Sequence, residues 1–212
     1  MNRPHHLISI LLIAILSIAL YANTLKNGFV YDDDETIVKN TLIKNPSNLP
    51  KLLNKDYFNL SGEMSYRPVV TFTYFLDYAL YGLKPWGFHL TNILLHAING
   101  VLLYMFMVFL IKEPRGRSQI SKIRPLLISL LFVSHPVLTE AVNGVSFRED
   151  LLAFLFYMAT LNLYLMLRAS RVSNSQFTLP VLYFLSCLTY FLALLSKEMA
   201  GTLPLILYCY ES

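Results

Sequence analysis

Charge is scarce in this chain. Asp, Glu, Lys and Arg make up 14% of its 212 residues, where a soluble domain carries about a quarter. Hydrophobic residues make up 55%. That balance excludes an ordinary water-soluble domain and points to a membrane protein. Cysteine is equally thin. Cys187 and Cys209 both lie inside apolar runs, so they read as small buried hydrophobes rather than a disulfide or metal pair. No HExxH pattern occurs. The net charge of +4 comes from bases spread along short membrane-flanking stretches, which does not indicate a nucleic-acid partner. No internal repeat and no stretch of soluble-domain composition is found.

Apolar runs and aromatic rings are what the chain has in abundance. A bilayer-crossing helix needs roughly 17–25 apolar residues, and the runs predict spans at about 7–25, 86–111, 125–142, 151–168, 179–196 and 199–212. The first is also compatible with a cleaved signal peptide, because Arg3 precedes an apolar core, but its exit at Ala19-Leu20-Tyr21-Ala22 lacks a good cleavage site. The last run ends within a span, which suggests that further spans follow. The 14 Tyr and 14 Phe suit anchoring at bilayer interfaces. The fold class is therefore an all-α, polytopic membrane helix bundle.

Orientation follows from the density of bases. Five of them, Lys112, Arg115, Arg117, Lys122 and Arg124, crowd one short stretch, and Arg168 and Arg171 mark another. The positive-inside rule makes both cytoplasmic. The first outer loop, 26–85, mixes six bases with six acids between Lys26 and Arg67 and faces the opposite side. Within it Pro68 fits the first turn of a helix that Gly82 and Pro85 stop. Residues 69–81 are apolar and aromatic but too short to span, which predicts an amphipathic helix on the outer surface.

Four polar clusters then fall on the outer side. They are Tyr31-Asp32-Asp33-Asp34-Glu35, Ser65-Tyr66-Arg67-Pro68, the run from His135 to Asp150, and Ser196-Lys197-Glu198. The third holds His135, Glu140, Arg148, Glu149 and Asp150. Ionisable groups at span ends are candidates for function. Each also has a plainer reading. Asp34 and Glu35 read as solvated, Arg148 with Glu149 or Asp150 as an ion pair opening a helix, Lys197-Glu198 as an interfacial pair, and His135-Pro136 as a helix end. His89 and His96 share a helix face and are read as interhelical hydrogen-bonders or, alternatively, metal ligands.

Taken in order, these phrases resemble one family. Phe29-Val30-Tyr31-Asp32-Asp33, Ser65-Tyr66-Arg67-Pro68, Gly87-Phe88-His89 with Asn92 and His96, His135-Pro136-Val137 with Thr139-Glu140-Ala141-Val142, Arg148 with Asp150-Leu151-Leu152, and Lys197-Glu198 are similar to the membrane module of the transmembrane O-mannosyltransferases that target cadherins. Related bacterial membrane proteins carry the same module followed by tetratricopeptide repeats. More distantly the pattern resembles other GT-C glycosyltransferases. Phe147 and Glu149 stand where the family pattern has small residues.

The resemblance implies a GT-C-type helix bundle that moves a sugar, with mannose as one choice, from a polyprenyl-phosphate donor to a protein or glycan acceptor. The transfer takes place with inversion, on the periplasmic or lumenal face of a bacterial inner membrane or the endoplasmic reticulum. On that reading Asp32 is the general base and Asp33 supports it. Arg148, Arg67 and Lys197, in that order of preference, are the candidates to bind the donor phosphate, and His135, Glu140, Asp150 and Glu198 support the site. The partners are the lipid-linked sugar, the acceptor and membrane lipid. No cofactor is implied, and divalent-cation dependence stays open. The rival reading is a non-catalytic membrane anchor for a C-terminal repeat domain that binds a partner.

Overall fold

The computed structural model describes residues 3–111, 119–172 and 178–211. Within them the chain is an all-α membrane protein built from nine helices: α1 (Arg3–Tyr21), α2 (Asp56–Ser61), α3 (Pro68–Tyr81), α4 (Pro85–Leu110), α5 (Gln119–Val133), α6 (Thr139–Asn143), α7 (Arg148–Val172), α8 (Thr178–Leu194) and α9 (Leu203–Glu211). Three stretches are long and apolar enough to cross a membrane: His5–Lys26, Pro85–Leu110 and Arg148–Ala169. Ile123–Val133 with Pro136–Asn143 makes a fourth if the bent pair is one span.

Helix α4 is the hub, packing against α1, α3, α5 and α7. Side chains that contribute little volume or donate sideways permit this. A Cβ at Gly100 would lie 2.4 Å from Val133 and 2.8 Å from Ile13, so glycine there lets α1, α4 and α5 meet. Asn99 donates to the Leu151 carbonyl (2.9 Å) and Asn162 to the Leu102 carbonyl (3.1 Å), fastening α4 to α7 with buried amides. Thr160 and Thr189 join α7 to α8 at 2.9 Å. In a bilayer such polar contacts hold helices whose apolar faces gain nothing from leaving lipid.

The apolar runs and the helices part company in three places. The run 125–142 is two helical pieces meeting at 48°, with His135 extended between them (φ −72°, ψ 126°). Pro136 has no N–H and crowds the backbone before it, so the helix stops there. The stretch 199–212 begins as a 3-10 turn, Glu198–Thr202, and continues as the nine-residue α9. Arg168 does not lie in a loop. It is inside α7, 3.5 Å from Glu211 and over the Tyr210 ring. The bases between 112 and 118 lie outside the described residues.

The segment between α1 and α4 is more than a connector. Ile37, Leu42, Ile43, Leu52 and Tyr57 are buried together with Val70, Tyr74 and Phe75 of α3 and Phe88 of α4, with Val145 just before α7 and with Leu152 in it. This core seats the segment on the end of the bundle where α3, α4 and α7 meet. Helix α3 starts at Pro68, whose missing N–H costs nothing in a first turn. It stops at Gly82, whose φ of +62° favours glycine. Its other face leaves Phe72, Leu76 and Leu80 exposed at helical spacing, as an interfacial helix requires.

Candidate functional site

The acidic segment is set by one unusual backbone residue. Tyr31 has φ +53°, the left-handed region that costs a bulky side chain energy. The turn it makes directs neighbouring carboxylates differently. Asp33 is wholly buried. One of its oxygens accepts the Val30 N–H (3.1 Å) and the other the Ser146 N–H (2.7 Å), tying this segment to the residues that open α7. Asp32 is exposed, and among the described residues its carboxylate makes no hydrogen bond or ion pair. Asp34 and Glu35 are exposed and both pair with Lys39.

Arg148 is the largest fully buried side chain. Its Nε donates to Asn92 (2.7 Å), one terminal nitrogen to Thr73 (3.1 Å) and the other to the Phe88 carbonyl (3.0 Å). The Asp77 carboxylate lies 2.6 Å away, and the Tyr74 ring is 4.8 Å from the guanidinium carbon. Thr91 donates to Asp77 (2.7 Å), and Tyr74 donates to the Val145 carbonyl (3.0 Å). One cation thus joins α3, α4 and α7. Its partner is Asp77, not Glu149 or Asp150, because the first turn of α7 buries Arg148 and turns the two following acids outward.

Those two acids meet the remaining cations. Arg67 pairs with one oxygen of Glu149, and Lys197 pairs with the other at 3.0 Å. Lys197 also pairs with Asp150 (2.7 Å), and Glu198 lies 3.7 Å from Arg67. Arg67 is positioned from behind, since its N–H donates to the buried Tyr57 hydroxyl (3.2 Å), which shares a 2.9 Å hydrogen bond with Thr71. Burial pushes the Tyr57 phenol up to about 12, so it stays neutral. Burial works against the charge on Lys197, but its bonds to Asp150 and Glu149 outweigh this and hold its pKa above the ordinary value.

Glu63 feels the charge of both the ion-pair cluster and the acidic segment. Burial pushes its carboxyl up to about 7; Arg67 opposes the shift, and Glu149 and Asp32 reinforce it. Nothing in the sequence singled out Glu63, because it stands alone in a polar stretch. Asp77 and Thr73 are equally hidden in the sequence, since each stands alone among the apolar and aromatic residues of α3.

His135 and Glu140 belong to the same polar run as Arg148. Both are exposed, and His135 Nδ1 accepts the Val137 N–H (3.2 Å) as a local cap. Among the described residues neither side chain bonds to Asp32, Arg67, Arg148 or Lys197. His96 faces the Val133 carbonyl at 3.1 Å, an interhelical contact. No group of three or more His, Cys, Asp or Glu among the described residues is arranged to hold a metal ion.

Comparison with known proteins gives relatives along most of the chain. A protein O-mannosyl-transferase of Caenorhabditis elegans is 32% identical over 202 residues, 93% of this chain and 27% of the relative. Protein O-mannosyl-transferase TMTC3 of Homo sapiens is 35% identical over 202 residues, 91% of this chain and 20% of the relative. Protein O-mannosyl-transferase TMTC2 of Homo sapiens is 33% identical over 164 residues, 75% and 19% respectively. The chain thus spans roughly a quarter or less of the length of these relatives. No protein-family model and no solved structure matches it.

Proposed function

We propose, on the premise that its homologues are TMTC-family protein O-mannosyl-transferases, that this chain forms the outward-facing catalytic end of a membrane glycosyltransferase. The reaction moves a sugar, mannose by analogy with the relatives' names, from a polyprenyl-phosphate donor to a protein hydroxyl. It takes place on the lumenal side of the endoplasmic reticulum or the equivalent outer face. The observation that carries the reading is the convergence of Arg67 and Lys197, from segments far apart in sequence, beside a segment that presents Asp32 to solvent while Asp33 is locked inward.

The chemistry follows from that division. Asp32 accepts the proton of the acceptor hydroxyl as its oxygen bonds to the anomeric carbon from the face opposite the phosphate. The bond from that carbon to the phosphate oxygen breaks, with inversion. The departing phosphate gains charge, and Arg67 and Lys197 stabilise it. Arg67 also has a buried Nε without a partner among the described residues, one more donor for an anion. Asp33 keeps the segment in register.

Arg148 takes a different role from the one its sequence position suggests. Enclosed by Asp77, Asn92, Thr73 and Phe88, it positions α3 and α7 rather than touching the donor. The apolar stripe Phe72, Leu76 and Leu80 keeps the site at the level where a polyprenyl chain enters the bilayer. The test is transfer from a polyprenyl-phosphate sugar in membranes carrying Asp32→Asn. Loss of transfer with normal insertion supports the reading; full activity removes Asp32 as the base, and no transfer by the unsubstituted protein above control membranes replaces the reading with the non-catalytic scaffold.

A further inference from the structure

The two cations assigned to the phosphate already hold an anion. Glu149 gives one carboxylate oxygen to Arg67 and the other to Lys197. Two oxygens of a phosphate would engage the same two cations in the same way, one each. The cluster is also over-neutralised: Arg67 and Lys197 face three carboxylates, Glu149, Asp150 and Glu198. A phosphate approaching this set meets net negative charge at close range, where repulsion is large outside bulk water. Either the cluster binds no anion, or one carboxylate yields its place.

Glu149 is the one positioned to yield. It alone bridges both cations, whereas Asp150 contacts only Lys197 and Glu198 lies 3.7 Å from Arg67 with its side chain 74% exposed. When Glu149 leaves, Asp150 still holds Lys197, and the Tyr57 hydroxyl still holds the Arg67 backbone. Lys197 thus keeps a carboxylate partner, and Arg67 keeps its backbone anchor with Glu198 3.7 Å from its guanidinium.

We propose that Glu149 is a built-in competitor for the phosphate: it occupies the phosphate position between Arg67 and Lys197 in the resting protein and is displaced when a lipid-linked phosphate binds. Donor capture is then an exchange of anions, and the resting protein has low affinity for stray phosphates. The inference rests on the reading of Arg67 and Lys197 as the phosphate site.

The test is calorimetric titration of the purified full protein in detergent with farnesyl phosphate and, separately, inorganic phosphate. Glu149→Gln should bind farnesyl phosphate at least about tenfold tighter than the unsubstituted protein, since one opposing charge is gone. Glu149→Asp, which keeps the charge, should stay within about threefold of it. Tightening confined to farnesyl phosphate assigns the site to lipid-linked phosphate; equal tightening for inorganic phosphate assigns it to the phosphate group alone, and either supports the exchange. Unchanged or weaker binding by Glu149→Gln, while Arg67→Ala still abolishes binding, overturns the exchange and leaves the phosphate site standing. Undiminished binding in both Arg67→Ala and Lys197→Ala removes the phosphate site itself. If Glu149→Gln does not fold, infrared difference spectra of the unsubstituted protein decide. A shift of the carboxylate stretch on adding farnesyl phosphate is expected, and binding without one overturns the proposal.

Discussion

Asp33 accepts the backbone N–H of Ser146 at 2.7 Å across 113 residues of sequence. That single contact fastens the acidic segment to the start of α7 and leaves Asp32, its neighbour, facing solvent. The two adjacent carboxylates therefore have separable roles, and substitution should separate them.

Asp33→Asn turns an acceptor into a group that must present its amide N–H₂ to one of two backbone donors. A buried donor left unpaired costs about 1–3 kcal/mol. The thermal midpoint in detergent should drop by several degrees, with transfer falling in step. Asp32→Asn should leave the midpoint unchanged.

Arg148 and Asp77 form a buried pair, and breaking one side leaves an uncompensated charge. Asp77→Asn or Arg148→Met should destabilise by about 3–5 kcal/mol. Limited proteolysis should then cut the outer segment between α2 and α4. Arg148→Lys keeps the charge but cannot reach Asn92, Thr73 and Phe88 together, so it should show the same loosening in milder form.

Glu63 supplies the pH dependence. Its carboxyl, raised from 4.5 to about 7 in the folded protein by burial, holds its proton more tightly there than in the unfolded chain. This helps folding below the ordinary value, and the help is lost as pH rises through about 7. Glu63→Gln should therefore stabilise the protein at pH 8, by about 1–3 kcal/mol, and change little at pH 4. Midpoints measured across that range check it. An identical slope in the variant would assign the pH dependence elsewhere.

Topology is open to direct labelling. Met64, 98% exposed on the outer segment, should accept a membrane-impermeant maleimide as Met64→Cys in sealed vesicles of lumenal-side-out orientation. Ser118→Cys, in the basic stretch, should react only after permeabilisation. The reverse pattern would put the acids on the cytoplasmic side.

Much of this arrangement is legible in the sequence because it is local. Long uncharged runs give α1, α4 and α7, and Pro68 and Gly82 bracket α3. What escapes is what depends on distant partners. The apolar residues Ile37, Leu42, Ile43, Leu52 and Tyr57 follow no period, so the core they build with α3 is invisible until the segment folds onto the bundle. The sequence shows the charge and neighbours of Arg148, but not that Asp77 of α3, 71 residues earlier, is its partner in a buried pair. The run 125–142 bends by 48° at His135-Pro136, where a proline rule already pointed to a helix end and hydropathy alone did not.

The most direct measurement is sugar transfer from a polyprenyl-phosphate donor by membranes carrying equal amounts of the unsubstituted protein, Asp32→Asn and Glu35→Gln. Losing a general base typically costs about 10²–10⁴ in rate, so Asp32→Asn should fall by that much while inserting normally. Glu35→Gln, whose carboxylate is exposed and among the described residues pairs only with Lys39, should stay within about twofold. Full transfer by Asp32→Asn would contradict the account, and a matching loss in Glu35→Gln would show that the segment's charge rather than Asp32 matters.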